Sequence, residues 1–166
     1  MNIKTERLCL CPIQEKDRPV LAELLTDDVV KKTYMVPDFP DREAAEGLAD
    51  RLIQLSRQER PYVAGIYLGD MLTGIINETD ATESEIEVGY ALLPRYHNRG
   101  YATEALRGMI RFLFDAGFSE ITAGAFVENE ASIRVMLKSG MELTGRRETL
   151  SYRGKNHECV FCAIRR

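Results

Sequence analysis

Long apolar runs and a surplus of basic charge are both missing from this chain of 166 residues. A membrane-spanning helix needs about 20 consecutive apolar residues, and no stretch of the sequence approaches that length. The first six residues also lack the apolar stretch of a secretory signal peptide. The formal net charge is −4, whereas nonspecific nucleic-acid binding usually needs a basic face. We therefore expect a soluble, cytoplasmic protein with no nucleic-acid or membrane partner.

Cysteine is scarce, and its four residues form two close pairs, Cys9/Cys11 and Cys159/Cys162. Both pairs lie in segments that have the pattern of strands. Side chains alternate across a strand, so Cys159 and Cys162 should point to opposite faces, whereas structural zinc sites usually take their cysteine pairs from turns. We interpret all four residues as buried thiols in a reducing compartment and expect no metal site.

Two common nucleotide-binding motifs are absent, but another layout for phosphate is present. Neither Gly-x-x-x-x-Gly-Lys-Ser/Thr nor Gly-x-Gly-x-x-Gly occurs, which argues against a P-loop or Rossmann protein. Residues 86–93 instead alternate with the period of a strand, and Pro94 ends that strand. Apolar residues then recur at helical spacing from 101 to 116. The chain therefore passes from a strand through a short turn into a helix.

The turn before this helix is suited to bind an anion. The backbone amides of residues 99–103 include the first-turn donors that have no partner within the helix. The positive end of the helix dipole attracts an anion, and Gly100 lets a pyrophosphate approach the main chain. We expect the His97 side chain to face solvent or contact the anion rather than transfer a proton. The predicted phosphate-binding residues are His97, Asn98, Arg99, Gly100, Tyr101, Ala102 and Thr103.

The six residues from His97 to Ala102 resemble the acetyl-coenzyme A signature of the GNAT N-acetyltransferases. In that signature Gln or Arg is followed by two residues, Gly, one residue, and Gly or Ala, so His97 departs from it while Gly100 and Ala102 fit. The later segment Asn129–Gly140 is similar to the family's Asn-x-x-Ser helix. The segment Thr5–Leu8 is similar to the start of the branch that contains the ribosomal-protein N-terminal acetyltransferases. The resemblance covers nearly the whole chain.

The predicted order of helices and strands matches the fold that this resemblance implies. We predict strands at 7–13, 61–68, 71–79, 85–93, 120–127, 142–151 and 157–165, and helices at 15–26, 42–57, 101–116 and 130–139. Strands 85–93 and 120–127 flank a crossover helix and should be parallel. We expect one domain over residues 1–166, with an α/β (α+β) fold. Its mixed, mostly antiparallel sheet should have about seven strands, helices on both faces and a splayed parallel pair.

The resemblance also implies where the cofactor's pantetheine arm lies. The arm would enter the gap between the parallel strands and pair with the main chain at Leu92 and Leu93, where an amide would also meet the oxyanion. Asn129 would contact the same arm, cap the helix, or do both. Ser132 would donate a hydrogen bond to the cofactor sulfur or serve only as a second cap. Many family members carry a tyrosine acid where this chain has Met136, which leaves the general acid open.

Acetyl transfer to an amine needs a neutral nitrogen, so a base must remove a proton from the ammonium form. Glu87 is the candidate base, because it is charged within an otherwise apolar strand; the alternative is a solvated or salt-bridged strand residue. The connection 33–40 contains Tyr34 and Phe39. It is either an acceptor-binding loop or a packed link between helices.

We therefore expect an enzyme that moves the acetyl group of acetyl-coenzyme A to a primary amine by direct attack, without a covalent enzyme intermediate. The acceptor would be a peptide N-terminus or a small molecule. The alternative is a noncatalytic domain that binds or senses acyl-coenzyme A, because the usual tyrosine is missing. A homodimer through the closing strands or the connection 33–40 is also plausible.

Overall fold

One eight-stranded sheet organises the chain in the computed structural model, which describes residues 1–166. Its strands are β1 (Ile3–Lys4), β2 (Leu8–Cys11), β3 (Val63–Leu68), β4 (Met71–Ala81), β5 (Glu85–Leu92), β6 (Glu120–Phe126), β7 (Glu142–Tyr152) and β8 (Lys155–Arg165). The helices are α1 (Arg18–Thr26), α2 (Arg42–Leu55), α3 (Tyr101–Asp115) and α4 (Glu130–Lys138). The spatial order of the strands is β1-β2-β3-β4-β5-β6-β8-β7.

The only parallel neighbours in the sheet are β5 and β6. Their pairing is short, since it joins residues 85–87 of β5 to residues 120–122 of β6 and goes no further. The remaining residues of both strands diverge and leave a gap. The predicted α/β fold with a mostly antiparallel sheet and a splayed parallel pair is confirmed.

Two apolar cores lie on opposite faces of the sheet. One core packs α3 and α4 against the sheet, and it includes Ile86 and Val88 of β5. The other packs α1 and α2 against the opposite face, and it includes Ala91 of β5 and Leu93 just after it. Side chains of a strand alternate between faces. The gap beside β5 therefore lies between two helical layers.

The structure differs from the sequence prediction in three local features. The sheet has an eighth strand, Ile3–Lys4, which is too short to show a periodic pattern. The first predicted helix starts with a 3₁₀ turn at Glu15–Asp17, and the α-helical part follows with a proline in its first turn. The last hairpin turns tightly through Arg153 and Gly154, whose φ angles are 49° and 73°, a conformation typical of two-residue hairpin loops.

The cysteines follow the prediction in part. Cys159 and Cys162 are buried on opposite faces of β8, in different apolar clusters. Cys9 and Cys11 are only partly buried. No group of three or more His, Cys, Asp or Glu side chains is arranged to hold a metal ion. None of the helices is both long and apolar enough to span a bilayer.

Candidate active site

The turn between β5 and α3 presents main-chain donors at the N-terminus of a 15-residue helix. Gly100 is the N-cap, with φ of 79°, and Asn98 also has a positive φ, of 58°. The first helical hydrogen bond runs from Glu104 N to Gly100 O, at 3.0 Å. The amides of residues 101–103 therefore have no acceptor within the helix. A residue with a β-carbon would be strained at the φ of Gly100, so the conformation favours glycine here.

Thr5 and Arg7, near the start of the chain, hold this turn in place through hydrogen bonds. The Glu104 carboxylate accepts hydrogen bonds from Thr5 Oγ1 at 2.6 Å, from Arg7 N at 2.7 Å and from Arg7 Nε at 2.7 Å. Arg7 Nη1 also donates to the carbonyl oxygen of Arg99, at 3.0 Å. Burial acts to raise the pKa of Glu104, but these hydrogen bonds outweigh it and lower the pKa below its ordinary value. The segment Thr5–Leu8 and the turn before α3 are thus one structural unit. The sequence alone does not show that the two are in contact.

A cavity of about 390 Å³ extends from this turn, along β5, to the first turns of α4. Most of the predicted cofactor residues line it. Those lining residues are Leu92, His97, Asn98, Gly100, Tyr101, Ala102, Thr103, Asn129 and Ser132. The predicted residues Arg99 and Leu93 lie outside the lining. The structure therefore joins the phosphate-type turn and the start of α4 in one continuous space.

At the end of β5, the main-chain N–H groups of Leu92 and Leu93 point in different directions. Leu93 is fully buried, and its N–H donates to Thr73 O at 2.9 Å, on the side of β4. Successive amides of a strand point to opposite edges, so the Leu92 N–H is directed towards the gap. The Leu92 carbonyl oxygen accepts a hydrogen bond from His97 Nε2 at 2.8 Å. Of the two predicted main-chain contacts, the geometry favours Leu92.

Ser132, in the first turn of α4, has hydrogen-bond partners on two sides. Asn129 is the N-cap as predicted, because its Oδ1 accepts from Ser132 N at 3.1 Å. Tyr90 reaches across the gap from β5, and its Oη lies 2.8 Å from Ser132 Oγ and 3.2 Å from Ser132 O. Burial raises the pKa of Tyr90 to about 12. Tyr90 was not identified from the sequence, where it is one apolar residue of an alternating strand.

Glu87 lies on the opposite face of β5 from Tyr90 and outside the lining of the cavity. Its carboxylate accepts from Thr79 Oγ1 at 3.2 Å and from Arg146 Nη1 at 3.4 Å. The Arg146 guanidinium in turn lies 3.8 Å from the ring centroid of Phe161. Glu87 is thus salt-bridged, and its role as a base stays a prediction. Gly89, two residues further along the same face of the strand, lines the cavity. Two residues of a strand span about 7 Å, so Glu87 lies about that far from the lining of the cavity.

The connection 33–40 contributes one wall of the cavity through Thr33 and Tyr34. Tyr34 Oη donates to Asn77 Oδ1 at 2.6 Å, and burial raises the pKa of Tyr34. Tyr152 Oη, from the β7–β8 hairpin, donates to Val36 O at 3.2 Å and to Tyr34 O at 3.4 Å. Phe39 instead packs against the core under α1 and α2 and is not among the lining residues. The connection is therefore both a packed link and, at Thr33 and Tyr34, part of the cavity.

The sequence and fold comparisons agree with this geometry. Residues 7–142 match the sequence model of the family described as "Acetyltransferase (GNAT) domain". The chain belongs to the GNAT family. One relative of this GNAT chain is the uncharacterized N-acetyltransferase YoaA of Bacillus subtilis, 28% identical over 148 residues, or 86% of this chain and 84% of that protein. The family resemblance inferred from the sequence is confirmed.

Solved GNAT structures share the whole fold. A GNAT-family acetyltransferase from Bacillus anthracis has a TM-score of 0.85 and 25% identity, and the match covers 99% of this chain and 98% of that chain. The ribosomal L7/L12 α-N-protein acetyltransferase RimL, solved with coenzyme A, has a TM-score of 0.82 and 18% identity over 99% and 98% of the two chains. The GNAT fold therefore extends over nearly all of this chain.

This GNAT chain has no hydroxyl at the α4 position where many family members carry tyrosine. Met136 occupies it, is fully buried and belongs to the core between α4 and the sheet. The hydroxyl groups that do meet in the gap are those of Ser132 and Tyr90.

Proposed function

We propose that this protein is an acetyl-coenzyme A dependent N-acetyltransferase that acts on a primary amine. The observation that carries the proposal is the single cavity in which a main-chain anion site at α3 and the Ser132 hydroxyl at α4 are both exposed. A long cofactor with a pyrophosphate near its middle and a reactive thioester at its end fits these two features. Membership of the GNAT family supports the same activity.

The residues present fit acetyl-coenzyme A in three places. The amides of residues 101–103 and the bare main chain at Gly100 would hold the pyrophosphate. The Leu92 N–H would donate to the thioester carbonyl oxygen at the end of the pantetheine arm in the gap, and Asn129 would contact the arm beyond its cap. His97, Asn98 and Arg99 would contact the anionic part at the mouth of the cavity. The cofactor supplies an activated acetyl group; the protein supplies the position and the hydrogen bonds.

In the proposed reaction the amine nitrogen attacks the thioester carbonyl carbon. A C–N bond forms, the C–S bond breaks, and the electron pair of that bond goes to sulfur. The Leu92 N–H would stabilise the oxyanion, and the Ser132 hydroxyl would donate a hydrogen bond to the sulfur. The attacking nitrogen loses one proton when the amide forms. Glu87 stays the candidate base that takes it, acting through water because it lies beside the cavity rather than in its lining.

The acceptor end of the cavity is bounded by Tyr34, which we propose contacts the amine substrate. Phe39, which we also predicted to contact it, would act only indirectly, since it packs beneath the connection. A peptide α-amine and a small-molecule amine both remain candidates. The fold shared with RimL, an α-N-protein acetyltransferase, supports the first. The single domain over residues 1–166, a cytoplasmic location and a homodimer stay predictions.

Acceptor screening tests the proposal. Purified protein is incubated with acetyl-coenzyme A and a panel of peptides with free N-termini, amino acids and polyamines, and thiol release is followed. We expect acceptor-dependent release with at least one class, together with an acetylated product by mass spectrometry. Coenzyme binding without transfer to any amine would favour the alternative function, an acyl-coenzyme A sensor.

A further inference from the structure

The contact between Tyr90 and Ser132 joins two elements that are otherwise separated by the gap. Tyr90 lies on β5 and Ser132 on α4, 42 positions apart in the chain, and both residues line the cavity. Ser132 is held at its backbone by Asn129, and Tyr90 packs with the core on the α3 and α4 side of the sheet.

The two hydroxyl groups can share their protons in two ways, because either oxygen can donate across the 2.8 Å contact. The Tyr90 hydroxyl has two oxygen atoms of Ser132 within reach, the hydroxyl at 2.8 Å and the carbonyl at 3.2 Å. In one arrangement Tyr90 donates to the Ser132 carbonyl oxygen, which can only accept, and the Ser132 hydroxyl donates to Tyr90. In the other arrangement Tyr90 donates to the Ser132 hydroxyl oxygen. A serine hydroxyl has one proton and two lone pairs. When a lone pair accepts from Tyr90, the Ser132 proton is left for another partner.

We propose that Tyr90 is a positioning residue for Ser132, whose hydroxyl proton it directs into the cavity towards the leaving sulfur. The inference rests on the proposed function, because it needs a coenzyme sulfur near Ser132. The N-terminus of α4 lies at the same place, and its dipole also favours a negative sulfur. Tyr90 thus lets a serine stabilise the thiolate in a chain that has Met136 in place of the usual tyrosine.

Tyr90 itself is not the source of the proton. Its pKa is raised to about 12 by burial, whereas an ordinary thiol has a pKa of about 8.5. Net transfer of the phenol proton to the thiolate would therefore be unfavourable. Cys162 also lies near Tyr90, and burial raises the pKa of its thiol. Both groups stay neutral around pH 8, and the hydrogen bond persists where a coenzyme thiol titrates.

The pKa of the thiol of bound coenzyme A tests this inference without any acceptor. The thiolate is followed by its ultraviolet absorbance during a pH titration, with coenzyme A fully bound and the protein alone as the baseline. Wild type is compared with Tyr90→Phe, Ser132→Ala and the double variant. A hydrogen bond to the thiolate lowers its pKa, so we expect each single variant to raise the thiol pKa by roughly half a unit to one unit relative to wild type.

The double variant separates positioning from an independent effect. If Tyr90 acts through Ser132, Tyr90→Phe changes nothing further once Ser132 is alanine. Tyr62→Phe is the matched control, because Tyr62 packs against Phe112 in the core and is not among the lining residues; it should behave as wild type.

Three results would overturn the inference. The first is a thiol pKa in Tyr90→Phe equal to that of wild type while coenzyme A still binds. The second is an additive shift in the double variant, which would mean that Tyr90 acts on the sulfur without Ser132. The third is the absence of coenzyme A binding to the wild-type protein. That result would remove the proposed function as well, whereas the first two results leave it intact.

Discussion

The two ends of the cavity are built in different ways. At the turn before α3, the groups that face the cavity are main-chain amides next to Gly100, all within a few residues of one another. At the other end, the facing groups are the side chains of Tyr90, Ser132 and Tyr34, which come from a strand, a helix and a loop. The first end depends on backbone conformation, and the second depends on how distant elements pack.

This difference determines what a substitution can do at each end. A main-chain site tolerates changes of side chain unless the new residue alters φ or fills the space at the turn. A site made of side chains loses a particular hydrogen bond when one residue changes, while the backbone stays as it was. Variants at the turn should therefore change cofactor binding, and variants at the gap should change the reaction.

The largest effect is expected from Gly100→Asp at the turn. The added β-carbon would lie 3.3 Å from Arg7 Nη2, at a φ of 79°, and the new carboxylate would oppose the pyrophosphate. Like charges in such contact cost several kcal/mol, so we expect a loss of coenzyme affinity of about 100-fold or more, measured by calorimetry. Gly69→Asp is the control, because Gly69 has a φ of 60° and a β-carbon added there would meet no heavy atom within 4 Å. Unchanged affinity in Gly100→Asp would remove the turn as the phosphate site.

At the gap, Glu87→Gln should lower the rate of transfer and leave coenzyme affinity nearly intact. General bases contribute roughly 100-fold or more, and a base that acts through water should fall at the lower end, so we expect a loss of about 10- to 100-fold in kcat/KM. Steady-state kinetics with an acceptor found by screening measures it. Glu85→Gln, an exposed change on the same strand, is the matched control. Equal rates for wild type and Glu87→Gln would leave Glu87 only its ion pair with Arg146.

Glu104→Gln tests the hydrogen bonds that hold the turn, through the free energy of unfolding and its pH dependence. Loss of the charged hydrogen bonds to Arg7 and Thr5 should lower the free energy of unfolding by about 1–3 kcal/mol near neutral pH, by urea denaturation. The pKa of Glu104 is lowered in the folded state, so its contribution is present above the unfolded pKa and is lost as pH falls through the folded pKa. Wild type and variant should converge in acid.

The exposed loop residue Glu83 provides the control for this change. Glu83→Gln should leave the free energy of unfolding within about 0.5 kcal/mol of wild type in both neutral and acid solution. A stability difference between wild type and Glu104→Gln that stays constant down to strongly acid pH would contradict the assigned role of the carboxylate.

The smallest effect is expected from Tyr34→Phe, at the wall of the proposed acceptor end. The change removes the hydrogen bond to Asn77 Oδ1 but keeps the ring, and one neutral hydrogen bond contributes about 0.5–1.5 kcal/mol. The KM for the acceptor should rise by about two- to tenfold, with kcat and the KM for acetyl-coenzyme A unchanged. A change confined to the KM for acetyl-coenzyme A would place Tyr34 on the cofactor rather than the acceptor.

The sequence predicts the turn well, because Gly100, the preceding strand and the following helix are neighbours in the chain. The splayed parallel pair also follows from local patterns, since a strand, a helix and a strand can close in one right-handed way. The gap is less predictable. Tyr90 and Ser132 meet only because β5 and β6 diverge after three paired residues, and no pattern in either segment encodes that distance. The ion pair of Glu87 with Arg146 depends in the same way on tertiary packing.

Calorimetric titration with acetyl-coenzyme A, coenzyme A and ATP tests the central claim most directly. The turn and the gap together should give saturable binding of both coenzymes, while ATP, which lacks the pantetheine arm, should bind far more weakly or not at all. A folded wild-type sample that binds neither coenzyme, or that binds ATP as tightly as coenzyme A, would contradict the assignment of the cavity.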